Sequence, residues 1–325
     1  MALPRVFVTR RLPGDALDVL GQHAEVDLWP GELPPPADEL RARTAPADGL
    51  ICLLTDRIDA GLIAAAPRLR VVSNVAVGYD NVDVAAATAR GIPVGNTPGV
   101  LTETTADLAF ALMLAAARRV TEAERYLRDG RWRTWSPDLM LGHDVHGATL
   151  GIIGYGKIGQ AVARRALGFG MRVLVAERAS VASDAPTPEV VPLETLLRES
   201  DFVSLHVPLT PETHHLIGER ELLAMKSTAV LVNTARGPVV DQAALARALA
   251  EGWIAAAGLD VMEEEPIAPD DPLLRAPNVV LLPHIGSASH ATRGRMAMMA
   301  VENCLAGLRG EPLPHCVNPE VRRRE

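Results

Sequence analysis

Residues 149–178, TLGIIGYGKIGQAVARRALGFGMRVLVAER, constrain the fold of this chain more than any other stretch. Residues 150–153 form a short apolar run of strand length that passes directly into Gly154, Gly156 and Gly159 with GxGxxG spacing. Gly154 permits a tight turn, Gly156 lets a pyrophosphate approach the backbone, and Gly159 lets a new helix pack closely on its strand. The unpaired N–H groups at the start of that helix suit an anion. A second apolar run, residues 171–176, follows at the distance a right-handed crossover needs, and Glu177 closes it where an adenosine ribose would lie. Strand, glycines, helix, strand and terminal acid together predict a dinucleotide-binding unit. Its contacts are expected from Gly154, Tyr155, Gly156, Lys157, Ile158 and Gly159, with Glu177 and Arg178 at the ribose edge.

The 325 residues suffice for two domains, each with its own core, and 48% hydrophobic content is that of a soluble globular protein. Cys52, Cys304 and Cys316 lack CxxC spacing and read as reduced thiols of a cytoplasmic protein. The net charge of −8 with scattered arginines offers no basic stripe, so no nucleic acid is expected as a partner. The start of the chain lacks a signal-peptide core. The longest apolar run, residues 108–117, is about half the ~20 residues a membrane span requires, so no membrane is expected either. His143 with His146, and His214 with His215, have no third ligand at zinc-like spacing; no metal is expected.

Before the glycine unit, short apolar runs alternate with helical patterns, giving about five strands up to residue 94. A turn cluster at residues 96–99 leads into one long predicted helix, residues 101–128, followed by a polar loop with Trp132 and Trp135. After the glycine unit, strands are expected at residues 202–207, 229–233, 255–259 and 279–282, and a closing helix over 287–307. The fold class is therefore α/β, with two doubly wound parallel-sheet domains. In such sheets ligands sit beyond the carboxyl ends of the strands. Arg236, Asp260, Glu265 and His284 all lie just past such ends.

The stretches NTARGPVVDQAAL, GLDVMEEEP and LLPHIGSAS resemble the D-isomer-specific 2-hydroxyacid dehydrogenases, and most of all the glyoxylate and hydroxypyruvate reductases among them. AVGYDNVD, NTPGVLTETTADLAFALML, GIIGYGKIG and SDFVSLHVPLT extend the resemblance over nearly the whole chain, in the family's order. The resemblance implies a Rossmann cofactor domain over residues 100–286 and a discontinuous, flavodoxin-like substrate domain over 1–99 and 287–325, with a cleft between them. It implies reduction of glyoxylate or hydroxypyruvate by NADH or NADPH in a homodimer. By position, Arg236 matches the substrate-binding arginine, Glu265 its carboxylate partner and His284 the proton donor. Glu265 is chosen over Glu263 and Glu264 because it precedes Pro266.

Leu53, Val77 and Gly78 match substrate-contacting positions. Thr234, Ala235 and Asp260 match the nicotinamide side, joined by Gly286 after the histidine, while Val207 and Pro208 match the adenosine side. Trp135 matches a residue that reaches the partner subunit's site in similar reductases. The physical roles cohere. A guanidinium can bind the carboxylate of a 2-oxo acid while polarising its carbonyl, and an imidazolium held by a carboxylate can protonate the oxygen as hydride arrives. Each residue alone also has an ordinary reading: Arg236 a surface arginine, Glu265 one of three solvated acids, His284 a core histidine. Their joint occurrence with the glycine unit favours chemistry. Rival readings are a D-3-phosphoglycerate dehydrogenase, against which the early stop after the closing helix weighs, and a non-enzymatic NAD-sensing protein of corepressor type.

Glu177 is expected to accept from both ribose hydroxyls of NADH and to repel the 2′-phosphate of NADPH, with Arg178 partly offsetting that repulsion. NADH should therefore be preferred and NADPH still used. Glu177→Ala should narrow or invert the ratio of kcat/KM for the two cofactors. A wild-type preference for NADPH would show that Arg178 governs this edge instead.

Overall fold

In a computed structural model, residues 3–176 and 188–321 are described. Glu177 and Arg178 lie outside the described residues. The chain divides into two compact units, Met1–Leu101 with Ser287–Glu325, and Thr102–Gly286.

The first unit is built on five short strands: β1 (Arg5–Val8), β2 (Glu25–Leu28), β3 (Gly49–Cys52), β4 (Val71–Asn74) and β5 (Val94–Gly95). They pair in parallel in the order β2-β1-β3-β4-β5. Their continuous apolar runs suit a sheet covered on both faces, and alternate residues divide between two cores. Val6, Val8, Ile51 and Val71 pack with Ala297, Val301 and Cys304 of the helix His290–Arg309. Phe7, Leu50, Cys52 and Val72 pack on the opposite side with Leu62, Ile63 and Ala87. Ser73, buried in β4, donates to the carbonyl of Ala300 at 2.8 Å, so the far segment of the chain is tied to the middle of this sheet.

The second unit holds seven parallel strands: β6 (Thr149–Ile153), β7 (Arg172–Ala176), β8 (Glu189–Val191), β9 (Phe202–Leu205), β10 (Val230–Asn233), β11 (Ala256–Leu259) and β12 (Val279–Leu281). The order is β12-β11-β10-β9-β6-β7-β8. From β6 the chain runs outward through β7 and β8, then returns to β9 on the other side of β6, which makes the β6/β9 boundary the switch point where ligands bind in such sheets. Leu150 and Ile152 face the helices Thr102–Ala117 and Lys157–Gly168. Ile153, Val203, Leu205 and Leu231 face the helices Leu193–Glu199 and Gln242–Glu251.

Two features depart from the expectation. The long helix is two, Thr102–Ala117 and Val120–Arg128, with Arg119 between them at φ 53. The break has a local cause. His143 N–H takes the carbonyl of Ala117 at 2.9 Å, and Gly142 lies so close that a Cβ there would sit 2.2 Å from the same oxygen. Helix propensity at residues 118–119 yields to a tertiary contact that occupies the helix end. The edge strand β8 is the second departure. It has three residues, of which only Val191 is buried, so it carries no apolar period.

Beyond β9 the His206 ring turns inward. Its Nε2 lies 2.8 Å from the Ser204 hydroxyl, and its Nδ1 is buried without a hydrogen-bond partner among the described residues. Burial pushes its pKa down from 6.5 to about 4. As pH falls, the unfolded chain binds this proton first while the folded chain stays neutral, so stability declines from pH 6.5 to about 4. The full loss should be about 3 kcal/mol, with no contribution above the upper limit. Urea midpoints of cofactor-free protein across this range should show the slope, and His206→Gln should flatten it.

Candidate active site

The glycine loop lies at the switch point. Gly154 has φ +97, and a Cβ there would stand 2.6 Å from the His206 carbonyl group, so the turn after β6 presses against the chain leaving β9. A Cβ on Gly159 would meet the Gly154 oxygen at 2.2 Å, which closes the helix onto its strand. Gly156 is different: a Cβ there would meet nothing within 4 Å, leaving open space above the backbone where Lys157 and Ile158 begin the helix. At the end of β10 the Thr234 hydroxyl is buried with no partner among the described residues, as is the hydroxyl of Tyr155 within the loop. An open backbone cradle at a helix start and an unsatisfied hydroxyl at a neighbouring strand end fit a dinucleotide. Val207 is half-buried and Pro208 exposed beside this loop, and the Pro208 carbonyl accepts from Thr213 Oγ1 at 2.7 Å.

Beyond β10, β11 and β12 the ladder continues into the loops. Asp260 N–H donates to Asn233 O, Leu282 N–H to Leu259 O, and His284 N–H to Asp260 O, at 2.8 to 2.9 Å. The Asp260 carboxylate, 1% exposed, accepts from the N–H groups of Ile285 and Gly286, each at 2.7 Å. Burial raises its pKa above the ordinary value, while these two N–H groups and the nearby His284 act in the opposite sense. Asp260 thus spends hydrogen-bonding capacity on the backbone that follows the histidine. Its expected contact on the nicotinamide side has to coexist with that task.

His284 has φ 53, a left-handed conformation uncommon outside glycine but more accessible to histidine and asparagine. Its Nδ1 lies 2.7 Å from Glu265 Oε2, with the two side chains 26% and 27% exposed, and Glu265 Oε1 accepts from Met262 N–H at 3.2 Å. Arg236 is set by Asn233, whose buried amide accepts from Ala235 N–H and donates to the Arg236 carbonyl, both at 2.9 Å. Arg236 Nη1 also donates to the Ala235 carbonyl at 2.8 Å. Gly237 is where the arginine loop crosses the acid loop: a Cβ there would fall 1.8 Å from Met262 O and 2.4 Å from Glu263 N. No other residue allows that approach.

His215 belongs to the same assembly, although its sequence context suggests only a structural or surface role. Its N–H donates to Pro238 O at 2.8 Å, and its Nε2 lies 2.7 Å from Glu263 Oε1, so one residue holds both crossing loops. Gln242 adds two further bonds to Glu263, through its own N–H at 3.1 Å and its side-chain oxygen at 3.0 Å. The spacing TPETHHLI carries no signal for this role.

The remaining expected residues stand elsewhere. Leu53, Val77 and Gly78 follow β3 and β4 in the first unit. Trp135 follows the helix Val120–Arg128 and is 75% exposed. Among the described residues, no group of three or more histidine, cysteine, aspartate or glutamate side chains could hold a metal ion. No helix among them is long and apolar enough to cross a membrane.

Residues 110–286 match the family model described as "D-isomer specific 2-hydroxyacid dehydrogenase, NAD binding domain". A glyoxylate reductase of Korarchaeum cryptofilum is 61% identical, over 98% of this chain and 97% of its own. A crystal structure of a Thermus thermophilus protein superposes with a TM-score of 0.92 at 52% identity, covering 96% of this chain and 99% of the other. An NADPH-dependent glyoxylate/hydroxypyruvate reductase from Sinorhizobium meliloti, in complex with NADP and malonate, gives a TM-score of 0.85 at 36% identity, over 100% and 99% of the two chains.

The loop crossing provides a test of how the site is held. Gly237→Ala should cost about 2 kcal/mol or more, since the added methyl meets backbone rather than a flexible side chain. Denaturant midpoints measure it. A midpoint equal to wild type would show that the two loops can separate without penalty.

Proposed function

The chain belongs to the D-isomer-specific 2-hydroxyacid dehydrogenase family, and on that footing we propose that it reduces glyoxylate or hydroxypyruvate to glycolate or D-glycerate. The observation that carries this reading is the His284–Glu265 pair at 2.7 Å, on a loop locked by Gly237 against the one bearing Arg236, in a chain 61% identical to a glyoxylate reductase. The nicotinamide cofactor, when bound, supplies the hydride. Glycine-loop N–H groups and the Thr234 hydroxyl are the groups of this chain suited to hold it.

Arg236 takes the role of electrophile, binding the carboxylate and drawing electron density from the carbonyl. As C2 is reduced, the carbonyl oxygen gains charge and takes a proton from His284. Glu265 engages Nδ1, which assigns the transferred proton to Nε2 and stabilises the imidazolium before transfer. In the reverse direction the neutral ring accepts the proton. Leu53 is assigned an apolar wall beside a small substrate, and the backbone of Val77 and Gly78 its carboxylate. NADH is the preferred cofactor in this reading, on the strength of Glu177. A homodimer is part of it too: the helix Val120–Arg128 buries none of its residues, and Val120, Leu127, Trp132, Trp135 and Leu141 are exposed. Trp135 then serves the partner's site.

Glyoxylate and hydroxypyruvate should exceed pyruvate and branched or aromatic 2-oxo acids in kcat/KM, followed by NADH absorbance. A clear preference for a bulky 2-oxo acid would overturn the substrate while leaving the family intact. His284→Asn, which tolerates the left-handed backbone, should lower kcat about a hundredfold or more and leave NADH affinity unchanged. Near-normal turnover in that variant would remove His284 from the mechanism.

A further inference from the structure

The loops of the first unit that carry Leu53, Val77 and Gly78 make a few backbone bonds, among them Asp56 N–H to Leu53 O and Val82 N–H to Tyr79 O, both at 3.0 Å, and asparagine side chains hold the carbonyls of Val77 and Gly78. Asn74, fully buried at the end of β4, donates from Nδ2 to the carbonyl of Gly78 at 3.0 Å and to Asn81 Oδ1 at 3.0 Å. Asn96, just past β5, donates from Nδ2 to the carbonyl of Val77 at 2.8 Å. Asn81 donates in turn to the carbonyls of Leu53 at 2.9 Å and Asp56 at 3.0 Å, so the loop after β3 and the loop after β4 share one network. The chain of donors fixes each amide's orientation, since Asn81 uses its nitrogen on two carbonyls and must present its oxygen to Asn74.

Peptide geometry converts this into direction. In a planar trans peptide the N–H points opposite to the carbonyl. With the Val77 and Gly78 oxygens held by Asn96 and Asn74, the N–H groups of Gly78 and Tyr79 each point away from the amide that holds their own peptide. With both peptide planes fixed, these two N–H groups are held ready as donors to an anion. We infer that Asn74 and Asn96 are positioning residues that preset the Val77–Tyr79 peptide planes for the carboxylate of the 2-oxo acid. The inference rests on the reading that this loop takes the carboxylate. It adds that affinity for the carboxylate depends on two side chains that point away from it.

Asn96→Ala and Asn74→Ala test it, the first at a partly exposed position where folding is under less threat. Each should raise KM for glyoxylate about tenfold by letting the planes rotate, with kcat changed by no more than about twofold. Affinity for NADH should stay at the wild-type value. Reduction of glycolaldehyde, which presents the same aldehyde without a carboxylate, separates positioning from general damage: its kcat/KM should be unaltered. Equal losses on glyoxylate and glycolaldehyde, or an unchanged KM for glyoxylate in both variants, would overturn the inference. Wild-type protein inactive on every 2-oxo acid would instead overturn the functional reading, and the inference with it.

Discussion

The site depends on a parallel ladder that does not stop where its strands do. Asn233 O, Asp260 N–H, Asp260 O and His284 N–H carry the register of β10, β11 and β12 one step further, into segments that are no longer strand. The spacing between neighbouring strands is thereby imposed on His284 itself and on Arg236, which follows Asn233 by a short step of chain. A loop free of the ladder would need other bonds to fix its backbone. Here the sheet supplies them, and the Asp260 carboxylate adds two more on Ile285 and Gly286. Burying a carboxylate is costly unless its oxygens are occupied, and those two N–H groups occupy one oxygen each.

Two histidine–carboxylate pairs result, two residues apart on the acid loop. Glu263 reaches His215 and Glu265 reaches His284, both at 2.7 Å. The pairs differ in what surrounds them. The His215 pair is tied to Gln242 and to the Pro238 carbonyl, so its hydrogen bonds are spent within the scaffold. Among the described residues, Glu265 takes one backbone N–H, that of Met262, besides the ring.

Much of this was legible in the sequence because it rests on periodicity and on glycine. The apolar runs named the buried strands to within a residue or two, and GxGxxG located the turn after β6. The break at Arg119 was not legible, because its cause sits in Gly142 and His143, distant in sequence and unremarkable in composition. β8 was hidden for the opposite reason, being too short to show any period. The family resemblance, through Pro266, selected Glu265 from its acidic neighbours, and it is Glu265 that lies 2.7 Å from His284, whereas no pattern pointed to His215. The asparagines that hold the Val77–Gly78 loop were invisible for a general reason. A side chain that donates to a carbonyl several residues away leaves no spacing rule in the sequence.

The first unit has a history as well as a structure. Its sheet is covered on one face by the helix His290–Arg309, which the ribosome delivers only after the whole second unit has been made. Until then Val6, Val8, Ile51 and Val71 have Leu12, Ala16 and Leu20 but lack that helix, and Ser73 has no Ala300 carbonyl to meet. The nascent chain therefore carries an apolar sheet face for the time it takes to synthesise residues 102–286, a period in which such surfaces aggregate or recruit chaperones. The second unit is one continuous stretch of chain, whereas the first is completed only by the last segment made.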